Sequence, residues 1–197
     1  MKKRVVFYGA AVLVAGVAGG CVTRPFQPAS LVEAPPAGQA LVNFHRPANG
    51  GGFLWDGPRY LGFLANDSLL QVATVPGEHF YVLRIAATGW MHTYVIHANV
   101  AAGGVYDVVL TTTGFGFATD FHFGPVRAGD VELRAKLEHW QRNEDPVALS
   151  PEWVSRNARW LDEERAAIEG VIIDLRAGKP RKVDFTEMLA GDRRGAR

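Results

Sequence analysis

Short runs of alternating hydrophobic and polar residues fill the middle of the chain, from residue 40 to about residue 127. In the segment 92–100 every second side chain is apolar or aromatic, which places those side chains on one face of a strand. Turn signals separate the runs, and Val75-Pro76-Gly77-Glu78 has the proline and glycine that a type II turn requires. Seven or eight short strands at this spacing predict a mainly β fold, an antiparallel sandwich or small barrel.

The spacing of apolar residues becomes helical between residues 128 and 178. Asp130 is a candidate N-cap for a short helix, and Ser150 followed by Pro151 predicts the start of an amphipathic helix of about 25 residues. One apolar stripe recurs along it at every seventh position: Val154, Leu161, Ile168 and Leu175. This stripe either packs on the β domain or docks a protein partner or a second copy of the chain.

Residues 1–20 have the organisation of a secretory signal peptide. Three bases at positions 2–4 precede an uncharged apolar stretch, which ends in Ala18-Gly19-Gly20 just before the single cysteine of the chain, Cys21. A basic start, an apolar centre and a small-residue exit predict cleavage between Gly20 and Cys21. Two alternatives stay open. The stretch is nearly the ~20 residues that span a bilayer, so it could remain as an anchor helix, or the product could be secreted and soluble.

The step Ala18-Gly19-Gly20-Cys21 resembles the lipobox of bacterial lipoproteins, although Ala18 stands where that motif most often has leucine. The resemblance implies that the Cys21 thiol carries a diacylglycerol and that the new amino terminus is acylated with a fatty acid such as palmitate. Two or three acyl chains at ~0.8 kcal/mol per buried CH₂ form a lasting anchor in the cell envelope. Val22, in place of an aspartate, favours the outer membrane, facing the periplasm.

The segments on either side of the predicted body are expected to be loose. Residues 21–39 contain four prolines that disfavour helix and sheet, which predicts a semi-extended spacer between the membrane and the body. Residues 179–197 form a basic tail, which we expect to be solvated or to touch anionic headgroups or an acidic partner. Within it, residues 183–189 are expected to add either a short strand or a helical turn. The four prolines are Pro25, Pro28, Pro35 and Pro36.

Four turn and strand motifs mark the β region: His45-Arg46-Pro47, Tyr60-Leu61-Gly62-Phe63-Leu64, Val75-Pro76-Gly77-Glu78-His79 and Ala102-Gly103-Gly104-Val105-Tyr106. Together they resemble an uncharacterised domain of unknown function found in bacterial lipoproteins. The resemblance covers roughly residues 40–127 and implies a β-sandwich on an anchored protein. It implies no reaction and no catalytic residues.

Charge argues against nucleic acid as a partner. The chain has 21 bases and 20 acids, and residues 1–20 hold three of the bases and no acid, which leaves 18 bases against 20 acids after cleavage. Nucleic-acid-binding proteins usually carry a concentrated basic excess. With Cys21 as the single cysteine, no intrachain disulfide forms.

Candidate chemistry is sparse. The six histidines have no metal-ligand spacing and no serine lies in a strand-to-helix elbow, so we predict no catalytic residue, no metal and no cofactor. In an extended chain four phenylalanines point the same way: Phe115, Phe117, Phe121 and Phe123. They form either a platform for a glycan or a lipid, or the core side of an edge strand.

Two functions follow from these patterns. The first is a non-enzymatic, membrane-anchored envelope lipoprotein whose body is a structural or protein-interaction module. The alternative is a ligand-binding lipoprotein that presents an aromatic platform or pocket to a glycan or a lipid.

Overall fold

The structure, a computed structural model, describes residues 23–47, 50–87, 90–113, 120–179 and 183–194. These residues form two mixed β-sheets in a sandwich-like arrangement, with three α-helices and no closed barrel. The mainly β class that the alternation predicts is confirmed. The strands are β1 (Phe26–Pro28), β2 (Ala40–Arg46), β3 (Gly52–Asp56), β4 (Arg59–Leu64), β5 (Ser68–Thr74), β6 (Gly77–Ala87), β7 (Trp90–Val100), β8 (Val105–Thr113), β9 (Asp120–Pro125), β10 (Asp145–Leu149) and β11 (Asp184–Met188). The helices are α1 (Val131–Gln141), α2 (Pro151–Arg156) and α3 (Ala158–Arg176).

The strand order differs from the predicted antiparallel sandwich of seven or eight strands. The first sheet has the order β1-β10-β5-β2-β8-β9 and the second has the order β11-β7-β6-β3-β4. Three neighbouring pairs are parallel: β10 with β5, β2 with β8, and β11 with β7. The described residues contain eleven strands because short segments outside the alternating region add to the sheets.

The main core lies between the sheets, where the alternation turns one face of each strand inward. Phe44 of β2 and Tyr81 of β6 are fully buried, and their ring centroids lie 5.1 Å apart across the sandwich. Helix α3 covers the outer face of the second sheet, where Ile168 packs with Trp55 and Val82. Helix α1 covers the outer face of the first sheet. The fold therefore has four layers, helix, sheet, sheet and helix.

The predicted helix starts are present, but the long helix is interrupted. The Asp130 side chain accepts a hydrogen bond from the Leu133 amide, and the Ser150 side chain accepts one from the Trp153 amide. Helix α2 ends before Asn157, whose side-chain amide donates to the Trp153 carbonyl at 2.8 Å. This local bond competes with the helical pattern, so two helices replace the single one of about 25 residues.

Both segments predicted to be loose contain strands that pair with the body. β1 lies inside the predicted spacer and pairs with β10, with Phe26 opposite Leu149. Pro28 is tolerated there because β1 is an edge strand, where a missing amide breaks no ladder. β11 lies inside the predicted basic tail and pairs with β7. No helix in the described ranges has the length and apolar character needed to cross a membrane.

Candidate functional site

A buried polar cluster lies on the outer face of the first sheet. Asn43 and His45 alternate with core residues of β2, so their side chains point away from the other sheet. β2 and β8 are parallel neighbours in a register that places Asp107 beside Asn43. Glu144, after α1, and Arg194, near the end of the chain, complete the group, here called the His45 cluster. Asn43, His45 and Asp107 are at most 2% exposed.

Both ring nitrogens of His45 face carboxylates. Nδ1–H donates to Glu144 Oε2 at 2.6 Å, and Nε2–H donates to Asp107 Oδ1 at 3.2 Å. Burial by itself disfavours the charged ring, but the two hydrogen bonds and the two negative charges outweigh it and raise the pKa of His45. A neutral ring would turn one nitrogen lone pair toward a carboxylate, so this geometry favours the imidazolium form of His45.

Asp107 is the hub of the His45 cluster. Besides the bond from His45, it accepts from Asn43 Nδ2 at 3.0 Å and from Arg194 Nε at 2.9 Å, and a second guanidinium nitrogen of Arg194 completes a two-pronged contact. Burial disfavours the carboxylate, but these donors and cations outweigh it and lower the pKa of Asp107 to about 2. Two cations thus balance the two anions, Asp107 and Glu144.

The neighbouring Arg46 is also enclosed by the fold. It is 0% exposed, and its guanidinium donates to the Leu110 carbonyl at 2.8 Å and to the Gly50 carbonyl at 2.9 Å. Burial lowers the pKa of Arg46 to about 10, and the charge of Asp67 opposes that shift. The His45-Arg46-Pro47 motif thus supplies two buried cations that tie β2 to its surroundings.

A second histidine, His79, also has both ring nitrogens in hydrogen bonds within the protein. Its Nδ1–H lies 3.0 Å from both oxygens of Asp56, and its Nε2–H donates to the Val75 carbonyl at 2.9 Å. The bond to Asp56 is the main cause that raises the pKa of His79, and burial opposes it. The ring also stacks on Tyr81 with centroids 5.6 Å apart.

These geometries fit structural ion pairs better than acid–base catalysis. A general base needs a free lone pair within reach of the proton that it removes. In His45 and in His79 both nitrogens are bonded inside the protein, so neither presents one to solvent. Within the described residues, no group of three or more histidine, cysteine or carboxylate side chains is arranged to hold a metal ion.

A cavity of about 360 Å³ lies next to His79, between the β3–β4 turn, the start of β6 and the second half of α3. Phe80 and Ile172 give it an apolar lining, and Glu78 and Arg176 give it a charged one. The Arg176 guanidinium sits 4.9 Å from the centroid of the Phe80 ring and also pairs with Glu78. The cavity has room for a small amphipathic group.

Of the predicted phenylalanine platform, only part falls within the described residues. Phe115 and Phe117 lie outside them, as do Gly20 and Cys21. Phe123 is 4% exposed and stacks on Phe44 at 6.3 Å, and Phe121 packs half-buried against the same core. These two rings therefore belong to the inner side of β9.

The predicted partner stripe of the helix faces the second sheet. Leu161 and Ile168 are buried, at 4% and 0% exposed, and Val154 and Leu175 pack half-buried beside them. On that sheet these side chains belong to one hydrophobic cluster that includes Trp55 of β3. The stripe thus covers a sheet of its own chain.

No motif in the sequence points directly to the His45 cluster. The residues that hydrogen-bond to one another in it lie 62 to 99 positions apart along the chain, so no local spacing connects the partners. One signal was visible: Asp107 is a lone carboxylate in the apolar run Val105–Leu110. A buried charge in a strand needs a partner, and that requirement points to a cluster.

Comparison with known protein families, with curated proteins and with solved structures finds no match. The two resemblances drawn from the sequence therefore stay predictions. Inferences about function depend on the geometry of this chain and on its sequence patterns.

The His45 cluster should make stability depend on pH. The pKa of His45 is raised above the ordinary 6.5, so its contribution is complete below pH 6.5 and is lost as pH rises through the folded value. The pKa of Asp107 is lowered from 3.8 to about 2, so its contribution is complete above pH 3.8 and is lost as pH falls toward 2. We expect urea denaturation to give the highest free energy of unfolding between pH 3.8 and pH 6.5.

A pair of histidine variants checks the alkaline side of this prediction. His45→Gln should reduce the loss of stability between pH 6.5 and pH 9, because it removes the group whose raised pKa causes part of that loss. The control is His122→Gln, since His122 is exposed on β9. Equal pH dependence in the two variants would contradict the assignment.

Proposed function

We propose that this chain is a non-enzymatic lipoprotein of the bacterial cell envelope, anchored through Cys21, whose body is a structural or protein-interaction module. The observation that carries the proposal is the position of the single cysteine, directly after an apolar stretch and three small residues. The anchor consists of the acyl chains that Cys21 and its amino group would carry. Val22 supports an outer-membrane location, facing the periplasm.

The ionic interactions of the body support a non-enzymatic role. The His45 cluster joins β2, β8, the segment after α1 and the end of the chain, which are distant in sequence. His79 joins the end of β3 to the β5–β6 turn. In both groups the two ring nitrogens of the histidine hydrogen-bond within the protein, which suits a structural role.

The alternative of an aromatic platform for a glycan or lipid has less support. Phe123 contacts Phe44 in the core, and Phe121 packs against the same core. If the body binds a small ligand, the cavity beside His79 offers the better surface, because it combines the Phe80 ring with the Arg176 charge.

Replacing Cys21 with serine should abolish lipid attachment. In cells fed a labelled fatty acid, we expect the wild-type chain to carry label and Cys21→Ser to carry none and to keep residues 1–20, because the hydroxyl does not replace the thiol as acceptor. Val22→Ala is the matched control and should keep both label and processing. Unchanged processing and membrane attachment in Cys21→Ser would refute the proposal.

A further inference from the structure

A continuous row of aromatic side chains lies where β1, the β3–β4 hairpin, α2 and α3 meet. It consists of Phe26, Phe53, Tyr60, Phe63, Trp153 and Trp160, and is here called the aromatic seam. All six are half-buried, so each ring packs against the protein and also reaches the surface. Single exposed apolar residues are ordinary, but a connected row of them marks an interaction surface.

The contacts of the aromatic seam run without a gap from the first strand to the helices. Phe26 stacks on Phe63 with centroids 6.3 Å apart, and Phe63 meets Phe53 at 5.0 Å. Phe53 then contacts Trp160 at 4.7 Å and Trp153 at 5.7 Å. The seam is therefore one surface, and its first member is the residue that begins β1.

The chain that leads to Phe26 is short. Four residues separate Cys21 from Phe26, and the five residue-to-residue steps between them span at most about 17 Å when fully extended. The predicted spacer of residues 21–39 would have reached about 60 Å by the same measure. Pairing of β1 with β10 removes most of that reach, because Phe26 is fixed opposite Leu149.

The length of this tether limits the distance between the body and the bilayer. A domain of this length has a radius of gyration of roughly 15 Å, so it is about 40 Å across. A tether of about 17 Å is less than half of that width, so it holds the Phe26 end of the body close to the membrane that carries Cys21. The surface nearest the tether is the one that begins at Phe26.

We propose that the aromatic seam lies against the membrane and is the surface on which the anchored body rests. The inference depends on the proposed lipid anchor at Cys21. Tryptophan and tyrosine concentrate at the headgroup level of bilayers, where an apolar ring and a polar atom are both accommodated. The seam supplies two tryptophans, Trp153 and Trp160, at that position.

The charged residues at the rim of the aromatic seam are also compatible with contact to a membrane surface. Arg156 and Arg159 lie beside Trp153 and Trp160, and their side chains are 57% and 93% exposed. Each pairs with a glutamate of its own helix segment, so the rim is close to neutral. Long arginine side chains place their charge in the headgroup layer while their stems cover apolar surface. Apolar contact, rather than net charge, then holds the seam in place.

Two surface cysteines test this orientation in the full lipidated chain. Arg159→Cys places a label next to Trp160, and Glu132→Cys places one on α1, which covers the opposite outer face. Each replaced residue is half of an exposed ion pair four residues apart, so both variants should fold equally well. Because lipid occupies Cys21, a thiol-reactive fluorophore labels the new cysteine alone.

The labelled proteins are reconstituted into vesicles of phosphatidylethanolamine and phosphatidylglycerol that contain a nitroxide-bearing lipid. We expect the label at position 159 to be quenched several-fold more than the label at position 132. If the mass of the protein shows the lipid and quenching is equal, or is stronger at position 132, the proposed orientation is wrong and the proposed anchor is not affected. A mass without lipid would overturn both proposals.

Discussion

Asp107→Asn should lower the free energy of unfolding by about 3–5 kcal/mol, the range found when one partner of a buried ion pair is removed. Asp107 is 2% exposed and accepts hydrogen bonds from His45, Asn43 and Arg194. A neutral amide has one acceptor oxygen and presents donors of its own to the remaining donors. The His45 imidazolium and the Arg194 guanidinium would then lose the charge that compensates their burial.

Urea denaturation at pH 6 measures this effect, since the acidic and the basic side chains of the His45 cluster are both charged at that pH. Asp162→Asn is the control, because Asp162 pairs with Arg165 on the surface of α3 with 65% of its side chain exposed. Exposed pairs contribute little, so the control should stay close to wild type. Similar losses in the two variants would mean that Asp107 is not the centre of a buried network.

Ile168→Ala should destabilise the protein by about 2–5 kcal/mol, as large-to-small changes of buried isoleucine do. Ile168 is 0% exposed and packs between α3 and the second sheet with Trp55 and Val82. The loss combines the transfer energy of the removed methylenes with the cavity left behind, because the sheet beneath is held by its own ladder.

The same helix provides the matched control. Ile173 lies five residues further along α3 and is 63% exposed. Ile173→Ala removes the same atoms from a site that is already in water, and alanine is the better helix former, so stability should change by less than about 0.5 kcal/mol. If both variants lose the same stability, the stripe does not pack on the sheet, and the interpretation as a docking surface for a partner would regain support.

Local patterns predicted the elements that local physics determines. The alternation of residues 92–100 corresponds to part of β7, and the caps at Asp130 and Ser150 start α1 and α2 where expected. The recurrence of Leu161 and Ile168 correctly indicated one buried face of α3. In each case the residues that carry the signal lie close to one another in the sequence.

Non-local pairing accounts for the elements that were missed. β10 (Asp145–Leu149) has five residues and too little alternation to stand out, whereas β11 (Asp184–Met188) lies in a segment for which a short strand and a helical turn were both expected. Both join sheets by pairing in parallel with strands far away in sequence, a property of the assembled sheet. β1 was hidden by Pro28, which is compatible with a strand only at a sheet edge.

The candidate site was missed for a related reason. His45 pairs with Glu144, 99 residues later, and Asp107 pairs with Arg194, 87 residues later. Such pairs form only when two layers and the end of the chain come together. The sequence therefore showed isolated polar residues in apolar strands, and only the fold shows that they neutralise one another.

The intact mass of the protein recovered from the membrane fraction decides whether Cys21 carries the lipid anchor. We predict a chain that begins at Cys21 and carries the added mass of a diacylglyceryl group and of an acyl group on its amino terminus. A chain that still begins at Met1, or one that begins elsewhere and carries no lipid, would contradict it.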